Sequence, residues 1–298
     1  MGHEVVGDSG GFSLLLRAAL PSVPVVNQLP GIRKQPAGDL STLAFTRPDL
    51  EVRRDHVAAY ARVCGFPTKD TAPLPYVHVL GFPMHMRIMT DPGFPFPAVG
   101  TVHLENSITG HRPIGIGESV SVSAHARSPR RHPRGRTVDF VTEVRVRDEL
   151  VWESTSTYLR VGGSDDSTAD GESAGSGLSV PDAPSGGIDW RLPADLGRRY
   201  ASVSGDHNPI HLYPLTAKAL GFPRQIAHGM WSKARCIAAI ENRLPDAVRV
   251  DVAFKKPILL PGTVSFGSTA TADGHAFSLT RPKDGSPHLI GRAAAVQS

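Results

Sequence analysis

Tyr60-Ala61, Val63 and Gly65 return as Tyr200-Ala201, Val203 and Gly205, and Gly81-Phe82-Pro83 returns as Gly221-Phe222-Pro223, every pair at one constant offset. Asp55 and Asp195 keep the same spacing. An unchanging offset over such a span marks a duplicated unit, and a period this long divides the chain into two domains rather than a solenoid of short repeats. The 298 residues have room for two units that each bury a core. Between them, Gly162 to Gly187 is rich in Ser, Gly and Asp with almost no large apolar residue, the composition of a flexible linker. The expected division is an N-terminal domain at 1–161, a linker at 162–188 and a C-terminal domain at 189–298.

Each unit reads in the same order: a first helix, the Gly-Phe-Pro turn, a more apolar helix, then a run of strands. In the first half Ser119 to Ala126 alternates Val120, Val122 and Ala124 with polar residues, Thr137 to Val146 is rich in Val, and Leu150 to Leu159 carries Trp152 and Tyr158. In the second, strands are expected at Val248 to Phe254, Thr263 to Thr271, His275 to Thr280 and Leu289 to Val296. Helices followed by consecutive strands indicate α+β packing of helix on sheet.

The units part company at residues 206–211. Gly205-Asp206-His207-Asn208-Pro209-Ile210-His211 breaks regular structure, and such a turn can project Asp206 and His211 into one space as an acid/base couple. Two other readings stay open on turn chemistry alone. One is an ordinary surface turn whose Asp and Asn bond their own backbone. The other is a metal site from Asp206, His207 and His211, although Pro209 opposes the single helical face that histidines four apart would need. At the repeat offset the first half has Phe66 and Thr71 where the second has Asp206 and His211, so it lacks the couple. Downstream, Met230, Trp231, Ala234, Ile237, Ala238 and Ile240 recur at helical spacing, which puts Gly229 at a helix N-terminus with free N–H groups and a favourable dipole for negative charge. His228, a lone histidine ahead of that helix, reads as a capping or packing residue.

Tyr200, Ser204, Gly205, Asp206, Asn208, Pro209, Ile210, His211, and then His228-Gly229-Met230, resemble the signature of the MaoC-like hydratases, the family that includes R-specific enoyl-CoA hydratase. The resemblance implies a hotdog fold, an antiparallel sheet wrapped around a central helix, and the repeat then implies a double hotdog in one chain. It also implies roles: Asp206 and His211 activate a water, Asn208 helps to position them at the substrate, and the Gly229 N–H binds the thioester oxygen. Hydration of a 2-enoyl thioester needs those groups together, to deprotonate water at C3, protonate C2 and stabilise charge on the carbonyl. On this reading the chain is a lyase, a (3R)-hydroxyacyl-thioester dehydratase or trans-2-enoyl-CoA hydratase of fatty-acid metabolism. Met84, Met86 and Met89 with Ile88 would line an acyl tunnel or fill a plain core. The competing readings are a non-catalytic acyl-thioester-binding subunit and a hotdog thioesterase.

The remaining features narrow the partners. The clearest basic run, Arg127 to Arg136, is interrupted by Pro129 and Pro133 and has no interleaved aromatics, so it reads as a solvated hairpin and not as a nucleic-acid surface. This run, or Lys255-Lys256, would suit the phosphates of coenzyme A or an acidic acyl carrier protein. Neither a dinucleotide loop, a P-loop nor a Gly-x-Ser-x-Gly elbow occurs, and no cofactor or metal is expected. Cys64 and Cys236 form no disulfide framework and suggest a reducing, cytoplasmic setting. Phe12 to Leu20 is apolar but short and holds Arg17, so neither a signal peptide nor a membrane span is expected. Whether paired halves dimerise further is left open.

Overall fold

In both halves the repeated tyrosine sits on a short amphipathic helix. The structure, a computed structural model, describes residues 4–5, 40, 43–96, 101–127, 129–161 and 177–296; the apolar stretch Phe12–Leu20 and the linker up to 176 lie outside them. Helix α1 (Arg54–Cys64) buries Val57, Tyr60, Ala61 and Cys64 at helical spacing. Its counterpart, Leu196–Ser204 in the second half, buries Gly197, Tyr200, Ala201 and Ser204 in the same pattern. Each helix stops at the repeated glycine: Gly65 (φ 80°) and Gly205 (φ 74°) are left-handed, a conformation that favours glycine at a helix end.

The strands of the first half are β1 (Glu4–Val5), β2 (Ala44–Glu51), β3 (Thr101–Gly110), β4 (Ser119–Ala126), β5 (Arg130–His132), β6 (Gly135–Val146) and β7 (Glu149–Val161). Those of the second are β8 (Ile188–Leu192), β9 (Val248–Phe254), β10 (Gly262–Ala270), β11 (Gly274–Thr280) and β12 (Pro287–Ala295). All join one sheet in the order β1-β2-β4-β6-β7-β3-β9-β12-β11-β10-β8, with β5 paired to β6. Apart from the parallel β1–β2 pair, neighbours are antiparallel. The order on one side of the β3–β9 seam repeats in reverse on the other, so two equivalent sheets meet edge to edge. A long helix lies against each: α2 (Tyr76–Thr90) in the first half and Gly229–Ile240 in the second. Helix α2 packs so closely that a Cβ added at Gly81 would come within 2.9 Å of Thr142 Cγ2. This is the double hotdog that the resemblance implied, and it is α+β.

Three sequence expectations change. Gly81-Phe82-Pro83 is not a turn but lies inside α2, whereas Gly221-Phe222-Pro223 is a true turn with Gly221 at φ 89°. The two motifs are not equivalent positions, and the duplication is legible only as far as Gly65 and Gly205. Thr71 likewise does not match His211: it bridges Gly115 as Ile226 bridges Leu259, so its counterpart is Ile226. The linker is anchored in its last part. Leu178 N–H bonds Glu105 Oε1, Ser278 and Thr280 hydroxyls donate to Pro184 and Ser185 carbonyls, Gly187 N–H bonds Ser265 Oγ, and Ile188 already belongs to β8.

Contacts at the seam are reciprocal. The carbonyls of the repeated valines each accept a bond from the opposite half: Trp231 Nε1 donates to Val63 at 3.1 Å, and His56 Nε2 donates to Val203 at 2.9 Å. Beneath the seam the fully buried Lys233 reaches from Nζ to Asn106 Oδ1 (2.6 Å), Asn106 O (3.1 Å) and Val250 O (2.9 Å), while burial lowers its pKa well below the ordinary lysine value. Among the described residues no helix is long and apolar enough to cross a membrane.

Candidate active site

Where the second unit departs from the first, the chain after Gly205 is held by a series of side-chain caps. Numbering the second-half helices in order, α3 (Leu196–Ser204) gives way at Gly205 to a turn, then to α4 (Pro209–Leu212) and α5 (Pro214–Ala219), and α6 (Gly229–Ile240) follows. Ser204 Oγ accepts the Asp206 N–H at 3.2 Å, and Asp206 Oδ1 accepts the Asn208 N–H at 3.1 Å. Asn208 Oδ1 caps α4 by accepting from Ile210 N–H at 3.4 Å, with Pro209 at the first helical position, where its missing N–H costs nothing. The Asx bonding that reads as an ordinary surface turn is therefore present, yet here it aims Asp206 and His211 inward.

His211 is 8% exposed, and its Nδ1 lies 2.8 Å from the Ile226 carbonyl. A carbonyl only accepts, so Nδ1 carries the proton and Nε2 is left as a lone-pair acceptor. His228 lies against it with ring centroids 3.7 Å apart, and donates from Nε2 to the Asp206 carbonyl at 3.0 Å. That nitrogen is also 3.8 Å from Asp206 Oδ2. The Asp206 side chain remains 27% exposed, open to the cavity. Burial holds the His211 imidazole below its ordinary pKa, opposed by the Asp206 carboxylate and the Ile226 carbonyl. His228 is held further below, by burial first and by neighbouring His211 second.

Asp206, His211 and His228 each place one ligand-type atom within 4.8 Å of the others. Two of the four ring nitrogens of the histidine pair are already committed to carbonyls, His228 Nε2 to Asp206 and His211 Nδ1 to Ile226. His207, the other ligand type in the turn, is exposed, with Nδ1 on the Gly205 carbonyl.

Gly229 opens α6, with His228 as the N-cap. A Cβ there would lie 3.1 Å from Phe254 Cε1, so the ring packs directly over the helix start. Its N–H is one of the first-turn donors that no helix can pair internally. Asp206, Asn208, His211 and Gly229 all line one cavity of about 680 Å³ that runs from the second half into the first. Phe82, Met86 and Met89 of α2 and Tyr158 of β7, all from the first half, line it as well. Met84 and Ile88 do not reach it and are fully buried in the core, so the methionine stretch divides between the two expected jobs. Exposed Arg134, Lys255 and Lys256 also line the cavity.

Sequence reasoning missed two contributions. His228 stands buried at the N-cap of α6, as the capping or packing reading has it, but it also contacts both members of the couple. Tyr158 comes from the other half, and burial and the Asp206 charge raise its phenol pKa. No spacing rule links Tyr158 to Asp206; only the seam pairing brings them together.

Residues 188–278 match the family model described as the MaoC like domain. The 3-hydroxyacyl-thioester dehydratase X of Mycobacterium tuberculosis is 39% identical over 282 residues, covering 94% of this chain and 96% of that one. The crystal structure of HtdX from Mycobacterium tuberculosis superposes with a TM-score of 0.74 at 37% identity, over 85% of this chain and all of that one. A MaoC-like dehydratase from Phytophthora capsici shares the fold at a TM-score of 0.70 and 19% identity, over 86% of this chain and 95% of that one. Similarity that extends along both halves, and not just over the turn that carries the acid/base couple, means that the chain belongs to the MaoC-like dehydratase family.

Proposed function

We propose that this protein is a hydro-lyase that interconverts (3R)-3-hydroxyacyl and trans-2-enoyl thioesters in fatty-acid metabolism, with the reaction confined to the second half. The observation that carries the reading is the convergence of a carboxylate, a neutral imidazole with a free Nε2 and a helix-start N–H on one end of an apolar cavity. In hydration His211 Nε2 takes a proton from water as the water oxygen bonds to C3. The C2=C3 electron pair moves to the thioester, whose oxygen is held by the Gly229 N–H, worth roughly 3 kcal/mol for one such donor. Protonation of C2 by the imidazolium completes the addition, and dehydration retraces the same steps. Burial makes that imidazolium a stronger acid than usual, which favours delivery to C2, and Asp206 orients the water and offsets the transient charge. Asn208 holds the turn that sets both groups in place. The chemistry needs no metal or redox cofactor.

Arg134, Lys255 and Lys256 suit the phosphates of coenzyme A or an acidic carrier protein at the cavity entrance. Two buried free thiols, Cys64 and Cys236, fit a reducing cytoplasmic setting. The direct test mixes protein with a short and a long trans-2-enoyl-CoA, follows loss of the conjugated thioester absorbance and assigns product chirality. Wild type should give the 3R product, and Asp206→Asn, with an unchanged circular dichroism spectrum, should turn over at least about a hundredfold more slowly. Comparable turnover by the folded variant would refute the assignment. Binding without turnover by wild type would instead favour the non-catalytic acyl-thioester subunit.

A further inference from the structure

Strand β7 is paired on both sides, to β6 and to β3, and in that register Tyr158 lies between Val138 and His103. Its ring stacks on His103 at 4.4 Å and meets Phe140 at 5.3 Å, so backbone and side chain are both held in place. The Tyr158 hydroxyl has no hydrogen-bond partner among the described residues, and unlike that of Tyr60 it is not sealed inside the protein. It therefore opens onto the cavity that Tyr158 lines together with Asp206 and His211. The ring contacts continue from His103 to Phe254 at 4.9 Å, and Phe254 covers the start of α6 at Gly229. A phenol from the first half thus shares one chamber with the acid/base couple and the helix-start N–H of the second.

The proposed addition leaves room for one more donor. The reacting water gives one proton to His211 Nε2 and directs the other at Asp206, while one lone pair of its oxygen forms the bond to C3. Both groups that hold the water are acceptors, so its second lone pair calls for a donor. His228 Nε2 is committed to the Asp206 carbonyl, and the Gly229 N–H is assigned to the thioester oxygen. Tyr158 still has a hydroxyl proton to offer. Burial first, and the Asp206 charge second, raise its phenol pKa, so the group keeps that proton wherever the couple works. In dehydration the same donor would meet the negative charge that develops on the departing C3 oxygen, and a donor already fixed in place needs no reorganisation to do so.

We propose that the Tyr158 hydroxyl donates a hydrogen bond to the C3 oxygen, that of the water in hydration and of the hydroxyl in dehydration, so that the first half supplies a catalytic residue as well as space for the chain. The assignment rests on the hydro-lyase reading of the site, and the tests separate the two. Tyr158→Phe in the full chain removes a hydroxyl that the protein itself does not bond, so its Tm should match that of wild type. A lower Tm would show that the hydroxyl is satisfied internally and would overturn the assignment. With trans-2-decenoyl-CoA, kcat for hydration should fall roughly a hundredfold with KM unchanged, since the enoyl chain carries no C3 oxygen before the reaction. A wild-type kcat would also overturn it and leave the Asn208 amide as the donor. Calorimetry needs no turnover. In a His211→Gln background, adding Tyr158→Phe should weaken binding of (3R)-3-hydroxydecanoyl-CoA about tenfold and leave decanoyl-CoA, which has no C3 oxygen, unaffected. Equal loss for both thioesters would mean that the ring and not the hydroxyl had been disturbed, and would overturn the contact, as would failure of both to bind. Absence of hydration by wild type alongside that selective loss would overturn the reaction and leave the contact standing.

Discussion

Gly229 is the residue with least freedom in the proposed site. It must carry a free N–H and also admit the Phe254 ring to within contact of its Cα. Gly229→Ala keeps the N–H but pushes the ring by a few tenths of an ångström into the cavity, and misplacement near reacting atoms is costly. Turnover should fall roughly tenfold while stability changes by under about 1 kcal/mol, and Phe254→Leu in the same chain should recover most of the loss. No recovery would mean that the ring is not what the methyl group disturbs. His211 makes a second prediction. In its proposed role as proton acceptor in hydration it would work only while neutral, and burial holds its pKa below the ordinary 6.5. The acidic limb of kcat/KM for hydration should therefore lie below pH 6.5, and a limb at or above that value would remove His211 from the role.

At the scale of elements, α6 owes its position to Lys233, which sits one turn after Gly229 and bonds carbonyls of both β3 and β9. Lys233→Met keeps the apolar stem but leaves buried acceptors from two strands without a donor. Stability should drop by roughly 3 kcal/mol in urea unfolding with an unchanged m-value, and a loss under about 1 kcal/mol would show that the seam is held otherwise. The same polar seam explains what the sequence did not reveal. Strand β4 was read at its observed bounds because it alternates cleanly, as was β9. Strand β3 was missed, since Asn106 and Ser107 interrupt its apolar pattern to serve the buried lysine and the neighbouring strand. Strands β2 and β8, which precede the first helix of each half, were missed too: both are short of buried residues, as befits positions at or near a sheet edge. Helix α2 was expected to begin only after a Gly81-Phe82-Pro83 turn, because Gly and Pro punctuate chains in general; here all three lie inside the helix, and Gly81 lets it lie close on Thr142. The Asp206–His211 turn was legible because its contacts are local; its partners across the seam were not.

Across the whole molecule, several histidines are folded into the interior uncharged. His85 is depressed to about 4 and His103 to about 3, and His78, His211 and His228 are lowered as well, in each case by burial first. In the unfolded chain each would take up a proton near its ordinary value of 6.5. Below that pH the unfolded state binds more protons than the native one, so stability falls as pH falls, by up to about 1.4 kcal/mol per pH unit for each such group. Tm should decline steeply from pH 6.5 toward about 4. A flat Tm over the acidic interval would show that these imidazoles are charged or solvated in the native state.

The edge-to-edge seam has a last consequence, for how such a molecule can change. Two identical subunits joined along the same edge would carry any substitution twice, so a residue could not serve as catalyst in one copy and as wall in the other. With both units in one chain, Phe66 can remain buried where its counterpart beside Gly205 has become Asp206, and each copy is answerable to a different selection. Symmetry is kept where it joins the halves, at the two valine carbonyls, and relinquished where it would cost range: on the proposed function one reaction centre is given up, and a chamber that can be reshaped without touching the other centre is gained.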